Sequence, residues 1–177
     1  DCAGQGRIDA FFLGGGQIDG HGNVNLVGAG GYPQSDVRWP GSFGSAYLYY
    51  VVPRVILFRE EHTPRVFVEK VDFISAPGVT PPEVYRPGGP YALLTGLGLF
   101  LFDKARGRFR LVSIHPGHGL DEITAATGFA FDVAPDLAET AGADAALLDI
   151  LRGRVLDDLS ETYPAFAAEW RAALQGQ

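Results

Sequence analysis

Cysteine, methionine and long apolar runs are nearly absent from this chain. Among its 177 residues there is one cysteine, Cys2, and no methionine. A lone cysteine excludes a framework of internal disulfides and is typical of a reducing compartment, so we expect a cytoplasmic protein. No apolar run approaches the roughly 20 residues of a membrane-spanning helix, so we expect no membrane association. The chain starts at Asp1 without a methionine or a signal peptide, and we therefore expect its natural start to be missing.

Positive charge is also scarce. The 14 Lys and Arg residues face 21 Asp and Glu residues, which leaves a net charge of −7. Such a chain repels a phosphate backbone, so no nucleic-acid partner is expected. The length and the hydrophobic fraction of 46% are those of an ordinary globular protein, and we expect a single domain over residues 1–177.

Glycine and proline, in contrast, are abundant, with 24 and 12 residues. This content is typical of a strand-rich or α/β domain with many tight turns. The glycines concentrate in 4–31 and 76–107, whereas the C-terminal part is rich in alanine and leucine. The predicted fold class is therefore α/β, with a mixed sheet followed by a helical C-terminus.

Hydrophobic periodicity and turn residues divide the chain into elements. The predicted strands are 8–13, 17–19, 23–27, 55–58, 66–75, 91–102, 108–114 and 129–133. The predicted helices are 46–52, 120–127, 145–159 and 163–174. Gly128 is predicted to be the residue just after the second helix.

A glycine loop precedes the helix predicted at 46–52. Its sequence over 39–45 is Trp-Pro-Gly-Ser-Phe-Gly-Ser. Free N–H groups where such a loop enters a helix can hold an oxyanion or a phosphate. The candidate oxyanion or thioester loop is therefore Gly41, Ser42, Phe43 and Gly44, with Ser45 as a candidate substrate-binding residue. The alternative is a simple turn with a helix cap, and the phosphate-binding pattern G-x-x-x-x-G-K-[ST] is not matched because its lysine is missing.

A second glycine run follows the buried strand at 8–13. It allows either close approach of the backbone to a ligand or close packing against neighbouring backbone, and the sequence leaves both open. Asn23 and Asn25 are equally ambiguous, since asparagine is common in hairpin turns. The candidate residues for substrate or coenzyme binding in this region are Gly14, Gly15, Gly16, Gln17, Asn23 and Asn25.

Two short segments contain histidine beside acidic residues. At 115–118, proline and glycine interrupt the spacing that a helical metal pair needs, so we expect no metal site there. We expect instead a turn that caps the following helix, with Asp121 and Glu122 in the first turn of that helix. At 59–62, the sequence Arg-Glu-Glu-His could supply an acid or a base, or it could be a solvated charge cluster at a strand end.

Several of these segments occur in the order found in one known family. They are 6–19, 22–25, 68–78, 86–90, 113–117 and 127–129. Together they resemble the β subunit of family I CoA-transferases, of the glutaconate CoA-transferase type, over about residues 6–135.

The resemblance implies a fold, a reaction and a partner. The fold is the mixed α/β fold of CoA-transferases (NagB/RpiA-like), and the partner is an α subunit in an αβ or α2β2 assembly. The reaction moves CoA from an acyl-CoA to a second carboxylic acid through a glutamyl-CoA thioester. Coenzyme A is thus a substrate, and no tightly bound cofactor is implied.

Two departures from the family pattern affect the expected chemistry. The family's nucleophilic glutamate lies before the point where this chain begins, so no glutamate here is expected to take that role. The loop at 41–44 aligns with the family's glycine loop over the thioester, but Phe43 and Tyr47 are bulkier than the family's residues and would reshape the acyl pocket. Relatives without the glutamate hydrolyse CoA thioesters or open their rings, so a hydrolase of the same fold and a non-catalytic assembly subunit remain alternatives.

Overall fold

The computed structural model describes residues 1–175 and divides the chain into two compact units, Asp1–Thr140 and Ala141–Gln177. The first unit contains a mixed sheet, and the second is helical. The predicted α/β class with a helical C-terminus is therefore confirmed. The expectation of a single domain over 1–177 stays a prediction.

The first unit is built on a six-stranded sheet with the order β1-β6-β7-β8-β9-β10. Its strands are β1 (Ala10–Gly14), β6 (Arg54–Arg59), β7 (Pro90–Thr95), β8 (Gly98–Asp103), β9 (Arg108–Ile114) and β10 (Asp132–Glu139). Two small hairpins are formed by β2 (Gln17–Ile18) with β3 (Val24–Asn25) and by β4 (Gly28–Ala29) with β5 (Val37–Arg38). Strands β1, β6 and β7 run parallel, and β8 is antiparallel to both of its neighbours. The carboxyl ends of β1, β6 and β7 therefore meet at one edge of the sheet.

Alternation along the strands determines which sheet face is buried. On β8, Gly98, Phe100 and Phe102 are buried while the residues between them are partly exposed, which is the period of two expected for a strand. One side of the sheet forms the core with fully buried side chains from each neighbouring strand. These include Val55, Leu57, Leu93, Phe100, Phe109 and Leu111.

The prediction of one long strand over 91–102 is wrong. The chain reverses after Thr95, so that β7 and β8 pair antiparallel. The Thr95 hydroxyl oxygen accepts the N–H groups of Leu97 and Gly98, each at 3.1 Å, and thereby closes the turn. Periodicity could not reveal this turn because the residues on both sides are continuously apolar.

The strand predicted over 66–75 is also wrong. Only Phe67 forms a bridge there, with Ile18. The backbone of this segment bonds to separate partners: the Val68 N–H donates to the Ile18 oxygen at 3.0 Å, and the Phe67 oxygen accepts from the Gly128 N–H at 2.7 Å. Val66, Phe67 and Val71 are buried, so they enter the core from an irregular segment, whereas Ile74 is half-exposed.

The helices agree with the periodicity, whereas the last strand begins later than predicted. The helices are α1 (Ser45–Val51), α2 (Leu120–Ala126), α3 (Ala145–Ile150), α4 (Leu156–Thr162) and α5 (Pro164–Gln175), with π-helical turns over Leu151–Val155 between α3 and α4. The strand predicted at 129–133 begins only at Asp132, since Phe129 fills the core beside α2. No helix within residues 1–175 combines the length and the apolar character needed to cross a bilayer.

Candidate functional site

An open cleft of about 1140 Å³ lies at the carboxyl ends of β1 and β6. Gly14 and Phe58 pair with each other at these strand ends. The residues that follow them, 15–17 and 59–61, line the cleft. Because open sheets with parallel strands bind ligands outside the carboxyl ends of those strands, this cleft is the candidate functional site.

The glycine run after β1 forms one wall of the cleft. A Cβ atom at Gly16 would overlap the indole ring of Trp39, and a Cβ at Gly15 would lie 2.9 Å from Cγ1 of Val24. Neighbouring side chains therefore leave no room for a Cβ at these two positions, whereas the sequence left open packing against neighbouring backbone or approach of a ligand. The backbone of Gly14, Gly15 and Gly16 also faces the cleft, so the run remains accessible to a ligand.

The loop before α1 lies beside the same cleft. Of its candidate residues, Gly41 and Phe43 line the cleft, with φ angles of +105° and +42°. The Ser45 N–H donates to the Ser42 oxygen at 2.9 Å, and the Ser45 hydroxyl donates to the same atom. Gly44 precedes the helix without a side-chain cap. The oxyanion role of this loop stays a prediction, supported by its position at the cleft.

Apolar side chains form most of the remaining surface of the cleft. Beside the indole of Trp39 and the ring of Phe43, this apolar wall is completed by Leu26, Ala29, Val37, Pro40 and Phe58. Phe43 is 88% exposed, and Val37 and Phe58 are exposed to about half that extent. These residues offer a ligand a large area that water now covers.

A charged wall faces this surface. The Glu61 carboxylate accepts from Arg65 Nη2 at 2.6 Å, from Arg59 Nη2 at 3.2 Å and from the Thr63 hydroxyl at 3.1 Å. These bonds, that of Arg65 first, hold the pKa of Glu61 below its usual value. The sequence left 59–62 open between an acid or base and a solvated cluster, and the structure brings 59–61 into the cleft. The sequence feature that pointed to this segment is its position at the end of the strand that pairs parallel to β1.

Gln17 and Asn25 belong to a buried hydrogen-bond network behind the glycine run. Asn25 Nδ2 donates to Gln17 Oε1 at 2.7 Å, and Gln17 Nε2 donates to Asp72 Oδ2 at 2.8 Å. Asp72 also accepts the Gly30 N–H at 2.9 Å. Asn25 is fully buried, whereas Gln17 reaches the cleft wall. Direct contact of the Asn25 side chain with a substrate would require this network to open.

Asn23 is held in a similar internal network. Its Nδ2 donates to Asp19 Oδ2 at 3.0 Å, and its Oδ1 accepts the Gly78 N–H at 3.0 Å. Asp19 also accepts the N–H groups of His21 and Asn23 itself, which closes the hairpin turn. Asn23 thus connects the β2–β3 hairpin to the segment around Gly78. Its predicted role in substrate binding stays a prediction.

Sequence reasoning missed the part that His62 plays below the charged wall. His62 Nδ1 lies 2.9 Å from the Thr95 hydroxyl and Nε2 lies 2.9 Å from the Thr127 hydroxyl, while the ring packs edge-on against Phe67. Burial lowers the pKa of this imidazole to about 4. The Thr95 hydroxyl also donates to the Gly98 oxygen at 3.0 Å and the Thr127 hydroxyl to the Ile123 oxygen at 2.7 Å, so backbone bonds fix both threonines where they meet the ring. His62 is therefore a neutral anchor for the segment that carries Glu61.

The histidines of the segment 115–118 form hydrogen bonds within the protein. His115 Nε2 donates to the Thr95 backbone oxygen at 2.9 Å, and Nδ1 accepts from the Thr140 hydroxyl at 2.8 Å. Asp121 and Glu122 lie in the first turn of α2, as predicted, and Glu122 pairs with His118 Nδ1 at 3.0 Å. Across residues 1–175, no three His, Cys, Asp or Glu side chains are grouped closely enough to hold a metal ion.

Comparison with known proteins identifies the family. The sequence profile of the Coenzyme A transferase family matches residues 2–126. The chain is 34% identical over 154 residues to the B subunit of 3-oxoadipate CoA-transferase from Pseudomonas knackmussii, which covers 83% of this chain and 58% of that protein. It is 30% identical over 151 residues to the B subunit of glutaconate CoA-transferase from Acidaminococcus fermentans, covering 81% of this chain and 56% of that protein. The chain thus spans little more than half the length of these relatives.

Solved structures agree with this result. The crystal structure of IpdAB from Rhodococcus jostii RHA1 superposes on 85% of this chain and 62% of its own, with a TM-score of 0.77 and 29% sequence identity. The fold expected from the resemblance is therefore confirmed. Since the family profile covers most of the chain and both relatives are B subunits, the chain belongs to the coenzyme A transferase family, as a sequence of the B-subunit type.

Proposed function

We propose that the protein carrying this chain is the B-type (β) component of a heteromeric CoA-transferase, which moves CoA between an acyl-CoA and a carboxylic acid together with an α subunit. The observation that carries this proposal is the cleft at the ends of β1 and β6. There a glycine run, a glycine loop and an apolar wall converge in a member of the coenzyme A transferase family. The cleft is large and open enough to receive the acyl end of a long thioester.

The reaction requires a carboxylate nucleophile, which we assign to a glutamate outside residues 1–177. Its oxygen attacks the thioester carbonyl, and the CoA thiolate leaves. The thiolate then attacks the glutamyl carbonyl, which releases the first acid and leaves CoA on the enzyme as a thioester. A second carboxylate takes up CoA by the reverse of these steps. No oxidant, metal or resident cofactor enters this balance, and coenzyme A is a substrate.

In this reaction, the residues of this chain bind the acyl-CoA and stabilise the oxyanion that forms on it. We assign the backbone N–H groups of 41–44 to the oxyanion that forms at the thioester carbon. The glycine run at 14–16 and Gln17 would accept the narrow thioester portion of CoA, because no side chain projects from the glycines. Asn23 and Asn25 would support this run through their internal bonds. The single cysteine fits a cytoplasmic location for the complex.

The test uses the protein that carries this chain, purified with its partner subunit. The complex is mixed with an acyl-CoA, treated with borohydride and analysed by peptide mass spectrometry. Borohydride reduces an enzyme thioester to an alcohol, so we expect one modified glutamate. In parallel, CoA transfer to acetate is compared with release of free CoA in the absence of an acceptor acid.

The outcomes separate the three candidate functions. A modified glutamate and acceptor-dependent transfer support the transferase. Release of one CoA per thioester consumed, without an acceptor and without an adduct, would instead identify a thioester hydrolase. A complex that consumes no acyl-CoA at all would leave a non-catalytic assembly subunit.

A further inference from the structure

Phe43 occupies an unusual position at the cleft. Its backbone adopts a φ of +42°, in the left-handed region that bulky side chains rarely enter. Its ring is 88% exposed although it lines the cleft. A strained backbone persists where its surroundings impose it, and such residues cluster at functional sites. An exposed aromatic ring held in this way presents an apolar surface to whatever enters the cleft.

Neighbouring apolar groups extend this surface. The Trp39 ring packs against Gly16, and the backbone N–H of Trp39 donates to the Val27 backbone oxygen at 3.0 Å. Phe58 packs edge-on against Phe12, with ring centroids 6.3 Å apart, and is still 45% exposed. Contacts with the fold therefore hold Trp39 and Phe58 in place, and the Phe43 and Phe58 rings of the apolar wall remain exposed. Covering it with an apolar group releases the water that now lies on it.

The charged wall offers little to attract a negatively charged ligand group into this apolar cleft. Two arginines, Arg59 and Arg65, and two glutamates, Glu60 and Glu61, line the cleft, so the formal charges on this wall cancel. Both arginines already bind Glu61. Glu60 has no cation within 4 Å among residues 1–175, and its carboxylate would repel a second carboxylate. A ligand with a distal negative charge would lose hydration against the apolar wall, and the two arginines that line the cleft are already bound to Glu61.

We propose that the cleft selects acyl-CoA thioesters whose acyl group is apolar beyond the thioester carbonyl, with Phe43 as a specificity-determining residue. This inference rests on the proposed function. The backbone of 41–44 serves the thioester, and the Phe43 ring packs on the acyl chain beyond it. A dicarboxylic acyl group of equal length is the poorer substrate because its far end brings a charge to the same wall.

The experiment compares hexanoyl-CoA with adipyl-CoA, which have the same number of acyl carbons and differ in the terminal carboxylate. The complex of the protein with its partner subunit is assayed for kcat/KM with acetate as the acceptor. Equilibrium binding of both thioesters is measured in parallel. We expect the wild-type complex to prefer hexanoyl-CoA by about tenfold or more, which corresponds to about 1.4 kcal/mol.

Two variants test the role of Phe43. Phe43→Ala should reduce the preference to within about threefold, mainly by loss with hexanoyl-CoA, while Tyr85→Ala, an aromatic residue of equal exposure outside the cleft, keeps the wild-type ratio. Thermal unfolding checks that both variants fold. A wild-type preference for adipyl-CoA, or an unchanged ratio in Phe43→Ala, would overturn the inference while acyl-CoA turnover still supports the proposed function. If nothing is turned over, the proposed function fails, and the two binding constants still decide whether the cleft selects apolar acyl groups.

Discussion

Gly16 and Trp39 show how the absence of one side chain shapes the cleft. The indole ring occupies the space that a Cβ at Gly16 would need, so the ring can pack against the backbone that follows β1. Gly14, two residues earlier, is different, because a Cβ there would lie 3.8 Å from the Phe58 ring, an ordinary contact distance. We therefore expect alanine to change the free energy of unfolding differently at the two positions.

Gly16→Ala should lower the free energy of unfolding by about 1–3 kcal/mol, because Trp39 must move to admit the new methyl group. The displaced ring should also change the Trp39 fluorescence, which is read in a Trp170→Phe background. Gly14→Ala is the matched control and should change stability by less than about 0.5 kcal/mol. Equal stability of the two variants in denaturant unfolding would show that Trp39 does not need the space at Gly16.

His62 makes stability depend on pH. Burial lowers the pKa of its imidazole from 6.5 in the unfolded chain to about 4 in the folded chain. Between these values the unfolded chain binds a proton that the folded chain does not. The contribution of neutral His62 to the free energy of unfolding is therefore fully present above pH 6.5 and is lost as the pH falls toward 4. His62→Gln should show a smaller decline over this window than the wild type.

Denaturant unfolding at several pH values between about 4 and 7 measures this effect. His118→Gln, whose partly exposed ring lies beside Glu122, is the control and should keep the wild-type decline. Should His62→Gln lose stability with falling pH as steeply as the wild type, His62 would not be the group responsible.

At the scale of elements, helix α1 depends on a residue far away in sequence. Arg86 Nη2 donates to the backbone carbonyl oxygen of Tyr49 at 3.0 Å, and the guanidinium lies 4.9 Å and 4.5 Å from the ring centres of Tyr49 and Tyr50. The Gly88 N–H donates to the Tyr50 oxygen at 2.8 Å. The segment 86–90 therefore completes the C-terminal turn of the helix whose N-terminus carries the loop 41–44.

Arg86→Ala should lower the free energy of unfolding by about 1–3 kcal/mol, because it removes a charge-assisted hydrogen bond and two cation–π contacts. Arg86→Lys should lose less, since an ammonium group keeps the charge over the tyrosine rings. Thermal and denaturant unfolding of both variants measure the difference. Identical losses for the alanine and lysine variants would mean that the charge of Arg86 does not hold α1.

For the whole molecule, the division into two units has a direct consequence. Residues 141–144, at the boundary where the second unit begins, are exposed and belong to no helix or strand. Exposed connecting segments of small residues are preferred sites of proteolysis. Limited digestion with elastase, which cuts after small residues, should therefore cleave first within 141–144, as read by mass spectrometry of the earliest fragments. First cleavage within the loop 39–44 would contradict this expectation.

The local sequence predicted the elements whose pattern is self-contained. Strand β1, the hairpin of β2 and β3, and helices α1, α2 and α5 follow from apolar runs bounded by glycine and proline. Two predictions failed where tertiary contacts decide the backbone: the reversal after Thr95 and the irregular segment at 66–75. In both places a segment rich in apolar residues is compatible with several backbone paths, and only its tertiary partners select one.

The sequence by itself determined the family, the fold class and the segments from which the site is built, because glycine runs, turns and apolar periods are local properties. Only the tertiary structure decided which of those segments share a cleft. The parallel pairing of β1 with β6 brings residues 14–17 beside 59–61, and Trp39 packs on Gly16. It also decided that Asn23 and Asn25 hold the fold together through internal bonds. These outcomes depend on contacts between residues distant in sequence, which no local pattern contains.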